Sequence, residues 1–310
     1  MTGKIEQQRQ RVGDFFEHLS HCTSQGEIFQ SSIVIAYYLL FSIFPIVIIV
    51  GNVLPLFHID TDPITEYLEL MLPSDMIKYV IPIVQTLLKT QSTGYISFGA
   101  IVALWSMSSM VNAIRVGMNR LYGVHLEELQ LGFWHFIWNR LLTIIFSALL
   151  VTLFTLLALA VIFGQQILSF FAPIFNYSMA PINRLFSYRW LILLVIMTVT
   201  VYYLNAIVPN VNMRKKVVMP GTITTVVGWE ALVYLFAYYL GHFPVKWENY
   251  GIVGTFIIFM LWLNLLAVVL LFGTAVNAAI DEVKMGPAVY YNGFLAEWLK
   301  RWRDKRHQDK

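Results

Sequence analysis

The chain has 310 residues, of which 58% are hydrophobic, 15% aromatic and 13% charged, and its mean hydropathy is +0.65. Soluble domains carry about 25% charged residues, so this composition excludes an ordinary soluble protein. The formal net charge of +3 does not indicate a nucleic-acid partner, because the basic residues are distributed in the pattern of a membrane topology.

Residues 1–30 form a polar segment ahead of the first apolar run, and no signal-peptide cleavage pattern follows it. We therefore expect the first apolar run to stay in the protein as an anchor. Apolar residues recur in this segment with helical spacing, at Val12, Phe15, Phe16 and Leu19. This spacing predicts an amphipathic helix against the inner leaflet. The single cysteine, Cys22, excludes an intramolecular disulfide.

Six apolar runs follow, at residues 31–54, 94–114, 141–163, 190–208, 217–240 and 252–280. Each is long enough to cross a hydrocarbon core, which takes roughly 20 helical residues. Segments that span a membrane must satisfy their own backbone hydrogen bonds, so these runs are helices. The predicted fold class is all-α, a polytopic membrane protein with a six-helix membrane domain at residues 31–281. The last run is longer than needed, which indicates tilt or an extension past the bilayer.

The distribution of Lys and Arg predicts the orientation. The N-terminal segment, the loops after runs two and four, and the C-terminal tail carry 16 of these residues, and the other three loops carry 5. The positive-inside rule then places both termini in the cytoplasm, which agrees with an even number of spans.

Two further segments are predicted to be amphipathic helices. In the outer loop, residues 55–93, the stretch "PSDMIKYVIPIVQTLLKT" begins with the capping-type pair Ser74-Asp75 and carries an apolar face. We expect this helix to lie over the outer end of the bundle or along the outer interface. The basic tail, residues 282–310, places Trp298 and Trp302 among lysines and arginines, which predicts an interfacial helix bound to anionic headgroups.

Helix breakers lie within or beside the runs, and the hinge or kink candidates are Pro45, Pro209, Pro220, Gly221, Gly251 and Gly254. Pro and Gly are common in membrane helices, where they produce kinks and close helix contacts. Half-helices unwound around a substrate, as in some transporters, are the alternative.

The sequence contains no H-E-x-x-H motif, P-loop, G-x-S-x-G motif or paired-carboxylate motif. We therefore predict no catalytic residue, no metal site and no cofactor. The expectation is that the protein is not an enzyme.

One carboxylate, Glu230, lies near the middle of the fifth run. A charge there costs at least roughly 2.5–3.5 kcal/mol unless it is protonated or partnered, so it should face the bundle interior or a wet cavity. By depth, the residues at the level of Glu230 in a predicted polar seam are Asn264, Ser106, Ser108 and Ser109. Asn112 and Arg115 lie nearer the cytoplasmic end and are predicted to line the inner mouth of the same seam. A structural interhelical hydrogen bond is the alternative role for Glu230.

Several motifs occur in order: "AYYLLFSIFPIVI", "LPSDMI", "WSMSSMVNAIRVGMNRLYGV", "VPNVNMRKKVVMPG", "WEALVYLFAYYL" and "YGIVGTFIIFMLWLNLLAVVLLFGTAVN". Together they resemble the YihY/BrkB family of bacterial inner-membrane proteins, formerly labelled ribonuclease BN. The resemblance implies six membrane helices with cytoplasmic ends, and it implies that Glu230 matches an acid of the family's fifth span. The family's usual "LLGAE" is "LFGTAVN" here, so Asn277 lies at or next to a family acidic position.

The leading functional hypothesis is a permease or flippase-like transporter of a lipid or other amphiphile in the bacterial inner (plasma) membrane. The alternative is a non-catalytic membrane scaffold of the cell envelope. The predicted partners are membrane lipids, with anionic headgroups at the basic tail, and either a second copy of the chain or an envelope protein. No nucleic-acid partner is expected.

Overall fold

The structure is a computed structural model that describes residues 2–53, 77, 81, 82, 85, 93–124, 188–209, 211, 212, 217–242, 251–286, 289 and 290. Within these residues the chain forms six helices: α1 (Thr2–Gln25), α2 (Ile28–Val53), α3 (Thr93–Leu121), α4 (Arg189–Ile207), α5 (Met219–His242) and α6 (Gly251–Met285). Two short strands, β1 (Val211–Asn212) and β2 (Val289–Tyr290), pair antiparallel.

Helices α2 to α6 coincide with five of the six predicted apolar runs. Three stretches of the described chain are long and apolar enough to cross a membrane: Trp190–Ile207, Met219–His242 and Phe256–Met285. A fourth results if the bent pair Gly13–Gln25 and Ile28–Ile43 forms one span. The prediction of a helical membrane protein is therefore confirmed. The third run (141–163), most of the outer loop and the tryptophans of the tail lie outside the described residues.

Helix α6 is the central element of the described bundle, since α1, α2, α3 and α5 all pack against it. Its 35 residues reach roughly 52 Å at 1.5 Å per residue, against a hydrocarbon core of about 30 Å. This length agrees with both predicted alternatives, a tilted helix or one that extends past the bilayer. One apolar core joins residues of α2 to α6, among them Ile35, Met118, Val201, Val226 and Leu271.

A second apolar core lies further along α6, around Trp262, which is 2% exposed. It includes Ala36 and Leu40 of α2 and Phe236 of α5. Ile77 of the predicted outer-loop helix packs against this core. The predicted helix of the outer loop, over the outer end of the bundle or along the outer interface, stays a prediction.

Helices α5 and α6 approach each other closely because small residues line their interface. A Cβ atom on Gly221 would lie 2.0 Å from the Gly273 carbonyl oxygen, and one on Gly273 would lie 2.0 Å from Thr225 Oγ1. One on Gly228 would lie 2.6 Å from Val269 Cγ1. Small residues four apart let membrane helices pack backbone to backbone, which explains this interface.

The chain bends by 53° between the helical stretches Gly13–Gln25 and Ile28–Ile43. The turn is at Gly26 and Glu27, and Glu27 has a φ of 45°, in the left-handed region that non-glycine residues rarely adopt. Of the residues predicted to form the apolar face of α1, Leu19 packs against the first apolar core, whereas Phe16 is exposed. The predicted contact of this face with the inner leaflet stays a prediction.

The breakers singled out in the sequence lie elsewhere. Pro45 lies within α2 and Pro209 follows the end of α4. Pro220 is the second residue of α5, where its missing N–H needs no helical partner. Gly251 begins α6 and Gly254 is buried within it. The break at Gly26–Glu27 is therefore at residues that the sequence did not mark.

Candidate functional site

Polar side chains follow one another along the second half of α3. Ser106, Ser108 and Ser109 are buried, while Asn112 and Arg115 are half-buried. Arg115 donates a hydrogen bond through Nη2 to Asn112 Oδ1. We call these five residues the α3 polar strip. Polar side chains inside a membrane helix are expensive unless they meet a partner or water, so the strip is a candidate functional feature.

Asn264 of α6 lies on the side of that helix that faces α3. Leu271 is two helical turns after Asn264, and a Cβ atom on Gly117 of α3 would lie 3.2 Å from Leu271 Cδ2. Further along, Tyr122 and Ala278 belong to one cluster, so α3 and α6 run in parallel. Seven residues before this contact, Asn264 is therefore at about the depth of Met110, beside the α3 polar strip.

Two oxygen atoms at this depth are buried without a hydrogen bond. Ser108 Oγ and Asn264 Oδ1 have no hydrogen-bond partner among the described residues. Buried polar atoms are nearly always hydrogen-bonded, so an exception needs an explanation. The structure thus places Ser108 and Asn264 at one depth. Ser108 is two and a half helical turns before Gly117, so it lies on the side of α3 away from the contact with Leu271 of α6.

Glu230 lies at a similar depth but on another side of α6. Its neighbour Trp229 donates from Nε1 to the Leu266 carbonyl at 2.9 Å, which sets this depth. Helix α5 packs on the side of α6 that carries Gly273, and Asn264 is two and a half turns before Gly273, so it faces away from α5. Glu230 is half-buried and forms no hydrogen bond or ion pair with a described residue. Its predicted role remains a prediction.

A second polar group joins α4, α5 and α6, and the sequence did not single it out. Asn205, Thr274, Asn277 and Asp281 are at most 1% exposed. Asn205 Oδ1 accepts hydrogen bonds from Thr274 Oγ1 at 2.9 Å and from Asn277 Nδ2 at 3.3 Å. We call these four residues the buried polar cluster.

The buried polar cluster also holds the start of α5. Asn277 Oδ1 accepts a hydrogen bond from the Gly221 N–H at 2.7 Å. Asp281 Oδ1 accepts one from the Val217 N–H at 2.9 Å. Gly221 is the third residue of α5, where an N–H has no helical partner, and Val217 lies just before the helix, so this arrangement satisfies both donors. Asn277, noted in the sequence for its family position, therefore acts here as a structural capping residue.

A third group lies where the ends of α3 and α6 meet α1. Cys22 Sγ donates to Glu282 Oε2 at 3.6 Å, and His18 Nδ1 lies 3.3 Å from the same oxygen. Burial, then the Glu282 carboxylate, raise the pKa of the Cys22 thiol to about 12. Burial, with the charge of Asp281, raises the pKa of Tyr122 above its usual range. Both groups therefore stay protonated at neutral pH.

The described residues contain no group of three or more His, Cys, Asp or Glu side chains that could hold a metal ion. Their candidate features are the amide, hydroxyl and guanidinium groups of the α3 polar strip with Asn264, and the isolated carboxylate Glu230. These groups can bind and guide a polar ligand by hydrogen bonds and one positive charge.

The family model described as virulence factor BrkB matches residues 20–290, which include the α3 polar strip, Asn264, Glu230 and the buried polar cluster. The chain belongs to the virulence factor BrkB family. The resemblance drawn from the sequence motifs is thereby confirmed.

Relatives of this BrkB family member include YfkH of Bacillus subtilis (strain 168), a protein described as ribonuclease-like. It is 28% identical over 253 residues, which cover 82% of this chain and 90% of YfkH. The UPF0761 membrane protein Bpet3042 of Bordetella petrii is 34% identical over 83 residues, 27% of this chain and 18% of that protein. No solved structure matches the chain.

Proposed function

We propose that this BrkB family membrane protein is a permease that moves a lipid or another amphiphile across the bacterial plasma membrane. The polar part of the substrate would pass along the α3 polar strip and Asn264. The observation that carries the proposal is the pair of buried oxygens, Ser108 Oγ and Asn264 Oδ1, which have no hydrogen bond among the described residues. In an apolar interior such atoms are unfavourable, and a passing polar group would satisfy them.

An amphiphile fits this site better than a fully water-soluble solute. Trp105 is 69% exposed, while the adjacent Ser106 is buried. Ser106 of the strip thus directly follows, in the sequence, a residue on the exposed apolar surface of α3. A substrate with a polar head and apolar chains could place the head in the strip and leave the chains in the bilayer, so that no large aqueous pore is needed.

The predicted topology of six spans with both termini in the cytoplasm completes the proposal. It places the end of the bundle formed by α1, the end of α3 and the end of α6 in the cytoplasm, and Arg115 near that end. The guanidinium would attract an anionic headgroup towards the strip from the inner leaflet. The basic tail at residues 282–310 would gather the same lipids at the membrane surface.

A scaffold of the cell envelope is the second candidate, with a further copy of this chain or an envelope protein as its partner. The buried polar cluster favours it, because hydrogen bonds between Asn205, Thr274, Asn277 and Gly221 hold α4, α5 and α6 in one arrangement. We do not extend the ribonuclease-like name of YfkH to this chain. The groups that carry the proposal are amides, hydroxyls and a guanidinium, which are not the ligands of a metal-dependent nuclease.

The test is lipid scrambling in proteoliposomes with a fluorescent phospholipid and a quencher that does not cross the membrane. We expect the wild-type protein to scramble and Asn264→Leu and Ser108→Val to scramble about tenfold more slowly, since an unmatched polar group costs about 1–3 kcal/mol. Thr198→Val is the matched control, because Thr198 of α4 hydrogen-bonds only its own helix, at Leu194, among the described contacts. Equal rates in all four proteins, or none, would exclude phospholipid movement along the strip.

A further inference from the structure

The turn at Gly26 and Glu27, between α1 and α2, is called the hinge below, and local hydrogen bonds fix its two ends. The Gly26 N–H donates to the Cys22 carbonyl and ends α1, and the Ser31 N–H donates to the Glu27 carbonyl as α2 begins. Between them, Glu27 has a φ of 45°, which is unfavourable for a residue with a side chain. Such a conformation persists only where surrounding contacts maintain it, so the contacts of Gly26 and Glu27 determine the position of α1.

The hinge contacts the last turn of α3. A Cβ atom on Gly26 would lie 2.2 Å from Leu121 Cδ2, so the glycine is pressed against this leucine. Glu27 Oε2 forms an ion pair with Arg120 Nη1 at 3.0 Å. Both contacts involve residues at the end of the helix that carries the α3 polar strip.

The preceding turns of α1 contact the end of α6. His18 and Cys22 both meet the Glu282 carboxylate, at 3.3 Å and 3.6 Å. Helix α1 therefore joins the end of α3 to the end of α6. These are the two helices that carry the strip and Asn264, so α1 crosses the same end of the proposed substrate path.

The contacts that hold α1 differ from those that hold the neighbouring helices. In the Arg120–Glu27 pair the side chains are 30% and 45% exposed, and in the His18–Glu282 pair they are 36% and 26% exposed. Exposed ion pairs contribute little to stability, because solvent screens them. The buried polar cluster is closed to solvent, whereas the described contacts of α1 combine these exposed pairs with the apolar packing of Leu19 and Cys22. At this end of the bundle, α1 therefore has weaker polar contacts than α4, α5 and α6.

We propose that α1 is a strap that holds the ends of α3 and α6 together and releases them by rotating at Gly26–Glu27. Release would expose the ends of the two helices that carry the α3 polar strip and Asn264. The movement of α1 stands without the transport proposal, and its effect on substrate passage rests on that proposal.

The first experiment measures release through the chain's single cysteine, Cys22, which is 4% exposed when α1 is docked. A maleimide reagent at neutral pH would modify Cys22 slowly in the wild-type protein in proteoliposomes. Arg120→Gln removes the exposed ion pair with Glu27, and we expect about two- to fivefold faster modification. Gly26→Ala places a methyl group against Leu121 and 2.8 Å from the Cys22 carbonyl oxygen, so the turn must shift, and we expect a larger increase.

Three variants serve as controls. Gly13→Ala changes a glycine of α1 at which an added Cβ atom would have no other atom within 4 Å. Lys284→Gln removes an exposed charge near the end of α6. Gly228→Ala strains the α5–α6 interface and reports general loosening of the bundle. Modification as slow in Gly26→Ala as in Gly13→Ala, or as fast in Gly228→Ala as in Gly26→Ala, would overturn the strap.

The second experiment cross-links α1 to the end of α6. In Glu282→Cys, a short bifunctional maleimide would join residue 282 to Cys22, and a monofunctional maleimide is the control. We expect the cross-linked protein to scramble lipid at least several-fold more slowly than the singly modified protein. Scrambling at the same rate after cross-linking would overturn the proposed opening. If the wild-type protein scrambles no lipid, the transport proposal fails, while the modification rates of Cys22 still decide the movement of α1.

Discussion

The Oδ1 atom of Asn277 on α6 accepts a hydrogen bond from the backbone N–H of Gly221, in the first turn of α5, at 2.7 Å. One turn later, Asp281 accepts from the N–H of Val217 at 2.9 Å. Asn277 and Asp281 are both fully buried. Helix α6 therefore supplies the side-chain partners that the start of α5 cannot find within its own helix, and the two helices form one unit at this end.

The close approach at Gly221 leads to the first prediction. In Gly221→Ala the new methyl group would lie 2.0 Å from the Gly273 carbonyl oxygen, so α5 and α6 must separate. Overpacking of this kind costs about 1–3 kcal/mol, and we expect a lower melting temperature in detergent by tryptophan fluorescence. Gly241→Ala, in the same helix with no atom within 4 Å of its Cβ position, should melt like the wild type. Equal melting of both variants would contradict the packing.

The second prediction concerns the chemistry at position 277. Asn277→Leu leaves the Gly221 N–H buried without an acceptor and removes a donor to Asn205, which together cost about 1–3 kcal/mol or more. Asn277→Asp keeps an acceptor at the positive end of α5 and loses only the donor. We therefore expect the wild-type protein to have the highest melting temperature, Asn277→Asp a lower one and Asn277→Leu the lowest. A leucine variant as stable as the aspartate variant would show that this hydrogen bond contributes nothing.

Much of the helical arrangement could be predicted, because a membrane span needs a long apolar run and must be helical. The predicted runs at 190–208 and 217–240 become Arg189–Ile207 and Met219–His242. The hydrogen bonds between helices could not be predicted in this way. Thr274 and Asn205 are 69 residues apart, and each looks in isolation like an ordinary polar residue of an apolar helix. Only the tertiary arrangement, in which α4 and α6 both pack against α5, brings these two side chains together.

The hinge was missed for a similar reason. The pattern at Gly26–Glu27 lacks proline, and the unusual conformation of Glu27 is held by Arg120, 93 residues later.

The depth of a residue along its helix was easier to predict than the side of the helix on which it lies. A count of residues along each helix places Glu230 and Asn264 at one level, but the face that each presents depends on the contacts of α6. The sequence therefore predicted one polar seam for Glu230, Asn264 and the α3 polar strip, whereas helical spacing puts Glu230 and Asn264 on different sides of α6.

The third prediction is a pH dependence at Cys22, which lies in α1 outside the predicted spans. Burial, with a contribution from Glu282, raises the pKa of the thiol from 9.0 to about 12. Because the pKa is higher in the folded protein, the thiol's contribution to stability is fully present below about pH 9 and is lost as the pH rises towards 12. The rate of alkylation, which requires the thiolate, should therefore keep rising with pH throughout the range from about pH 7 to pH 10.

The control for this titration is Ser24→Cys in a Cys22→Ala background, since Ser24 is exposed. Its alkylation rate should level off near the ordinary thiol pKa of about 8.5. Glu282→Gln should lower the pKa of Cys22 but leave it above the ordinary value, because burial is the larger cause. A wild-type rate that levels off where the control does would contradict the burial of the thiol.

The last prediction separates Glu230 from the proposed path. Glu230 is half-buried in a helix apolar enough to span a membrane, and it has no hydrogen bond or ion pair with a described residue. A charge at such a depth costs roughly 2.5–3.5 kcal/mol, so Glu230→Gln should be at least as stable as the wild type on thermal unfolding. Because the α3 polar strip lies on the other side of α6, Glu230→Gln and Glu230→Ala should both retain lipid scrambling. Activity lost in both Glu230 variants and kept in Asn264→Leu would instead place the path along α5. Lipid scrambling kept in Glu230→Gln and lost in Glu230→Ala would mean that Glu230 acts through a neutral hydrogen bond.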